Sequence, residues 1–186
     1  EHQSTGSLDE LLHAAADAIG SVPSRRWVLD SGSLSDKQRQ CVAHGGFIAS
    51  AQRFPAAAFG VSPVEATQLD PQQRLILQCG YEALHMGGLR RSLISGESVG
   101  VYVGIERPDW AMMQAQKSRL REPTGTAASS SSFSATNSAV AIASGRFSYI
   151  FGLQGQCLSV DTACSSSLTA LHYAFKDTYG DAVVSS

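Results

Sequence analysis

Between residues 158 and 175 the hydrophobic pattern changes period, and this change constrains the fold more than any other stretch of the chain. Leu158 and Val160 alternate with Ser159 and Asp161, the spacing of a half-buried strand, and Gly152 and Gly155 punctuate the approach. Beyond Cys164 the apolar positions are Leu168, Leu171 and Phe175, three and four residues apart as on one face of a helix. A strand is therefore expected to deliver the chain to Thr162 and a helix to begin at or just before Ser165, with Cys164 at the joint. A thiol at a helix N-terminus meets unpaired backbone N–H groups and the positive end of the helix dipole, and both favour the thiolate, its nucleophilic form. The same N–H groups can hold an oxyanion. Free cysteine also packs as a small hydrophobe, so residue type alone leaves a structural role open. The strand-to-helix joint is what points to reactivity.

From Pro123 to Phe175 the only charged residues are Arg146 and Asp161. A solvent-facing stretch of that length would carry several more, so most of it is expected to be buried against something, and the chain alone to expose a large apolar patch. Over all 186 residues, 43% apolar and 16% charged composition suits a soluble, core-forming domain. With 14 basic against 16 acidic residues and no basic run, neither nucleic acid nor an anionic membrane is indicated as a partner. No apolar run is long enough for a membrane span, and the N-terminus lacks the basic region and apolar core of a signal peptide. Cys41, Cys79, Cys157 and Cys164 form no pair with metal-ligand spacing, which suits the cytoplasm or another reducing intracellular compartment. Ser165, Ser166 and Ser167 lie in no Gly-x-Ser-x-Gly elbow and are expected to cap the helix. The residues beside Cys164 do not match a papain-like protease, and no Gly-rich phosphate loop precedes a helix.

Taken in order, Leu8, Leu11, Leu12, Ala15, Ala16 and Ile19 predict a helix opened by Ser7 and Glu10 as a capping box and closed by Gly20. Val22 to Asp30 reads as an extended loop, and Ser31 to His44 as polar, solvent-facing chain. Ser62, Pro63 and Glu65 open a short helix. Asp70, Pro71 and Gln73 open a second, running to about Met86, burying Leu75, Ile76, Cys79, Ala83 and Leu84, and ended by Gly87 and Gly88. Asp70 and Arg74 are assigned structural rather than catalytic roles. Val99, Val101 and Val103 predict a central strand with a close-packing exit at Gly104. Met112 and Met113 read as packing filler. The Ser129 to Ser132 run reads as a loop, and Val140, Ile142 and Ala143 as a short helix ended by Gly145.

The run from Val160 to Ser167 resembles the active-site segment of the β-ketoacyl synthase (ketosynthase) domains of type I polyketide and fatty acid synthases. Two further stretches carry the same resemblance: Phe59 to Pro63 with Glu65 and Ala66, and Asp70 to Leu75 leading to Glu82, Ala83 and Leu84. Pro23 with Arg26 and Trp27 also fits the segment that follows that family's first helix. The resemblance runs from about Leu8 onward. It implies an α/β, thiolase-like layered fold, a mixed sheet with helices, of which residues 1–186 form a partial domain: the N-terminal half, without the family's first strand and ending shortly after the nucleophile helix. Cys164 then caps a buried central helix and accepts an acyl group from the phosphopantetheine of an acyl carrier protein. Decarboxylation of a malonyl-type extender gives a carbanion that attacks the Cys164 thioester. No tightly bound cofactor is implied, and the full domain is expected to be a homodimer. The two histidines and the lysine that assist in the family belong to its C-terminal half. His2, His13, His44 and His85 match none of them, and His172, eight residues beyond Cys164, lies ~12 Å along the helix axis. The chain alone is therefore expected to be inactive, and the rival reading is a non-catalytic fragment or carrier-docking module that cannot condense. Gly155, Gln156 and Cys157 stand where the family has Gly-Pro and a small residue, a departure bearing on substrate preference. A cysteine at 164 argues against the chain-length-factor relatives, which lack the nucleophile.

Overall fold

The structure, a computed structural model, describes residues 8–27, 34–48, 51–106, 109–110, 112–113 and 139–183. Ser7 and the Ser129 to Ser132 run lie outside them. The chain divides into two units, Glu1–Ser50 and Ala51–Ser186.

In the first unit α1 spans Leu8–His13 and stops there, six residues short of the expected Ile19. Ala15 turns left-handed (φ 46°), and the Asp17 carboxylate accepts the Ile19 N–H at 2.9 Å, a local bond that competes with helix continuation. Ile19–Ser21 instead forms β1, antiparallel to β2 (His44–Gly46) in the register Ile19 to Gly46 and Ser21 to His44. The polar stretch read as solvent-facing contains α2, Asp36–Val42, which buries none of its residues and is opened by a reciprocal capping box between Ser35 and Gln38. Trp27 meets Phe47 edge-on at 5.7 Å, and Arg26 donates to the Ile48 carbonyl at 2.7 Å.

The second unit is built around two parallel strands, β3 (Val101–Gly104) and β4 (Cys157–Val160), with Val101 opposite Cys157 and Gly104 opposite Val160. Several helices of the described residues precede β4. These are α3 (Pro63–Gln68), α4 (Pro71–Met86), α5 (Arg91–Ile94) and α6 (Ile142–Phe151), and α7 (Ser166–Val183) follows it. Strand alternation sends Val101, Cys157 and Ser159 toward α6, where Cys157 Sγ lies 2.9 Å from Ser148 Oγ and Ser159 Oγ 2.9 Å from Ser144 Oγ. Tyr102 and Gly104 point the other way, toward α7. The result is a helix–sheet–helix sandwich, the α/β layering expected.

The main core lies on the α6 side: Phe59, Val61, Leu77, Ile94, Phe147, Ile150, Phe151 and Leu153. It corrects two expectations. Helix α6 does not end at Gly145 but runs through it to Gly152, whose left-handed φ of 73° closes the helix, because Ala143, Phe147, Ile150 and Phe151 form a continuous buried stripe. Helix α4 buries Gln73 and Leu77, leaving Cys79 and Ala83 exposed. Its orientation is set by Gly80, where the Phe147 ring occupies the space a side chain would need. Met112 and Met113 are exposed.

The helix starts behave as their sequences specify, with one difference. Ser62 Oγ accepts the Glu65 N–H at 3.1 Å, but the Glu65 carboxylate turns to Arg146 Nη1 at 2.6 Å instead of completing the box. Arg146 Nε also donates to Gln73 Oε1 at 2.8 Å, so one guanidinium joins α3, α4 and α6. The Arg146 and Glu65 side chains are only 11% and 15% exposed. Removing one partner of a buried pair strands the other charge, so Arg146→Met is expected to cost about 3 kcal/mol in denaturant unfolding. The double variant with Glu65→Gln should recover much of that loss.

Asp70, 2% exposed, caps α4 by accepting the Gln72 N–H at 2.6 Å. Its carboxyl is pushed above the usual range, chiefly by desolvation and further by Asp109, against the lowering effects of that hydrogen bond and of Arg74. A raised folded-state value means the group's contribution to stability is full below the unfolded carboxyl's titration and is lost as pH rises through the folded one. Asparagine keeps the cap without the charge. The melting-temperature difference, Asp70→Asn minus wild type, should therefore be more positive at pH 7 than at pH 3, and the opposite ordering would contradict this account.

Candidate functional site

Strand β4 ends at Val160, and the next five residues turn the chain into α7. The Asp161 carboxylate accepts the Ala163 N–H at 3.1 Å. Ala163 is left-handed at φ 53°, a region that disfavours any residue with a Cβ. A single 3-10 turn, Ala163–Ser165, follows and carries Cys164, and the α-helix proper begins at Ser166. Cys164 thus lies one short turn ahead of the helix rather than in its first residue, and it is exposed.

Hydroxyl groups staple this turn. Ser166 Oγ accepts the Thr162 N–H at 2.9 Å and donates to the Ala163 carbonyl at 2.7 Å. Ser165 Oγ donates to the Thr162 carbonyl at 2.9 Å and also lies 3.0 Å from Thr162 Oγ1, which in turn meets Thr169 Oγ1 at 3.1 Å. The serines act here on backbone groups of the turn, and Ser167 remains exposed. Residue spacing points to Cys164 but not to the roles of Asp161, Thr162 and Thr169 in this turn. An Asp two residues before the turning position is the one legible signal.

Helix α7 docks on the sheet through small residues. A Cβ on Gly104 would lie 2.5 Å from the Ser166 carbonyl carbon, so the helix backbone rests directly on β3. Ser166 and Ala170 are buried as a result, and Leu168, Leu171 and Phe175, expected to form the packed face, are 70%, 65% and 53% exposed. An open groove of about 360 Å³ runs beside this contact, lined by Tyr102, Val103, Gly104, Ser167, Ala170 and Leu171. The Tyr102 phenol is pushed up to about 12, first by desolvation and then by the Asp177 carboxylate of α7.

His172 lies on the exposed side of α7, its ring 6.1 Å from Tyr173, and His85 lies in the last turn of α4 beside Tyr81. Neither hydrogen-bonds to Cys164. Cys41, Cys79 and Cys157 are free and exposed, and among the described residues no group of His, Cys, Asp and Glu could hold a metal ion. No described helix is long and apolar enough to cross a membrane.

Comparison with known proteins gives this geometry a family. The family described as "Beta-ketoacyl synthase, N-terminal domain" matches residues 1–180. Polyketide synthase GfsA of Streptomyces halstedii is 41% identical over 171 residues, covering 90% of this chain and 2% of that protein. The phthioceranic/hydroxyphthioceranic acid synthase of Mycobacterium tuberculosis is 37% identical over 180 residues, 91% of this chain and 8% of the synthase. Among solved structures, the ketosynthase from module 6 of the bacillaene synthase of Bacillus subtilis superposes with a TM-score of 0.70 at 29% identity, over 93% of this chain and 25% of that one. The oxazolomycin ketosynthase domain OzmH KS7 of Streptomyces albus gives 0.64 at 31% identity, over 92% and 29%. The chain thus spans a small part of these synthases and about a quarter of the solved ketosynthase chains. With its sheet, its helices and its cysteine-bearing turn in the order the sequence requires, the chain belongs to the β-ketoacyl synthase family, matching that family's N-terminal domain.

Proposed function

We propose that residues 1–186 form the nucleophile-bearing portion of a polyketide synthase condensing domain, and that Cys164 is the residue that carries the growing acyl chain. The observation that carries this reading is the exposed thiol on a stapled turn between a parallel strand and an 18-residue helix. The Cys164 amide makes no hydrogen bond among the described residues, whereas the Thr162 and Ala163 amides are engaged. That leaves an N–H beside the sulfur free to hold a developing oxyanion.

In the proposed reaction the Cys164 thiolate attacks the carbonyl carbon of an acyl thioester borne on the pantetheine arm of a carrier protein. The bond from that carbon to the pantetheine sulfur breaks, and the pantetheine leaves as the thiol after taking a proton. A malonyl-type thioester then loses carbon dioxide, and its carbanion attacks the Cys164 thioester. A carbon–carbon bond forms, the bond to Sγ breaks, and the thiolate is restored. No histidine of this chain is assigned to the decarboxylation. The free cysteines are consistent with a reducing compartment, and the working domain is proposed to be a homodimer.

Incubation with an acyl-pantetheine thioester, followed by intact-mass and peptide mass spectrometry, tests the assignment. The acyl group should map to Cys164 and fall at least ~100-fold in Cys164→Ala, the loss of an essential nucleophile. Label persisting in that variant, or mapping to Cys41, Cys79 or Cys157, would overturn it. Loading at Cys164 with no condensation after a malonyl thioester is added would favour the rival reading of a module that cannot condense.

A further inference from the structure

We infer that Asp161 and Ser166 are positioning residues for the Cys164 thiol, acting together to hold the left-handed turn at Ala163; this rests on Cys164 being the acyl-carrying residue. Side chains reach all four backbone groups of Thr162 and Ala163, the two residues before the sulfur: Ser165 Oγ takes the Thr162 carbonyl, and Asp161 and Ser166 take the other three, the Ser166 backbone N–H sharing the Ala163 carbonyl. Asp161 Oδ1 accepts the Ala163 N–H, Ser166 Oγ accepts the Thr162 N–H, and the Ser166 hydroxyl proton goes to the Ala163 carbonyl. The left-handed conformation they hold is sterically disfavoured for alanine, so it persists only where surrounding contacts over-determine it.

The two residues hold the turn from different sides. Ser166 is 6% exposed and belongs to the helix backbone that rests on Gly104, so it is fixed by the sheet. Asp161 is exposed and lies directly after β4, so its bond depends on no packing. Without either, the peptide at Ala163 can relax to a right-handed conformation, which re-aims the Cys164 Cα–Cβ bond and the amide beside it. A reacting sulfur misplaced by ~1 Å loses on the order of 100-fold in rate.

The experiment compares wild type with Asp161→Ala, Asp161→Asn and Ser166→Ala, following acylation of Cys164 by an acyl-pantetheine thioester across pH and, separately, peptide-resolved alkylation of Cys164 by iodoacetamide. Peptide resolution is needed because all four cysteines are exposed. Asp161→Ala and Ser166→Ala should each slow acylation by at least ~10-fold, whereas Asp161→Asn, which keeps the oxygen acceptor, should restore most of the rate with an unshifted pH profile. The exposed position of Asp161 keeps the test valid if Ser166→Ala fails to fold. Wild-type rates in Asp161→Ala, or failure of Asp161→Asn to restore the rate, would overturn the proposal. If wild type itself takes no acyl group at Cys164, the proposed function fails. Alkylation then still decides the turn: an unchanged Cys164 rate in Asp161→Ala refutes the positioning role, and an altered one restored by Asp161→Asn upholds it.

Discussion

The second unit depends on the contact between a strand glycine and a helix backbone. At Gly104 no side chain intervenes, so the first turn of α7 rests on β3 at van der Waals distance, and everything around Cys164 follows from that seating. Ser166, buried by the contact, reaches back to Thr162 and Ala163, and the turn between β4 and α7 is thereby fixed at both ends. A larger residue at 104 would push α7 outward and disconnect the hydroxyl staples from the strand. Backbone proximity, more than side-chain burial, sets the geometry of the candidate nucleophile.

The opposite face of the sheet works by a different principle. There, large aromatic and aliphatic side chains from α4 and α6 fill the core, and the Phe147 ring is accommodated by Gly80. Among the buried polar groups on that side, Arg146 pairs with Glu65 and Gln73, and Ser144 with Ser159. Through Ser144 and Ser159 the α6 layer also fixes β4, the strand that leads into the Cys164 turn. The two faces therefore meet at the site, one supplying a rigid strand and the other a closely seated helix.

The exposed row of Leu168, Leu171, Phe175 and Tyr179 on α7 has the same origin. A helix that seats its small residues on the sheet must turn its large ones away. The scarcity of charge from Pro123 to Phe175 suggests a segment buried against something; within its described part α6 is buried in the main core, whereas α7 is buried on the sheet side only. A chain matching about a quarter of the solved ketosynthases need not cover every apolar face itself.

Local chemistry was legible wherever one residue's side chain satisfies its own neighbourhood. Ser62, Pro63, Asp70 and Pro71 start helices where their capping and ring constraints demand it, Gly87 ends one, and the strand-to-helix change of period located Cys164 from residue spacing alone. The Ser35 and Gln38 capping box is equally present in the sequence, amid polar residues that carry no apolar stripe to mark a helix. What the sequence could not determine was which face of a helix would be buried. Leu168, Leu171 and Phe175 form a valid apolar stripe, and α7 nonetheless packs through Ser166 and Ala170. Periodicity reports only that a stripe exists; the choice of face belongs to the partner surface, and here a glycine on β3 admits only a helix face with small side chains. The same holds for Arg146, whose partners lie 73 and 81 residues away. Interactions between neighbours are written in the spacing of residues, but those between distant segments exist only once the chain has brought them together.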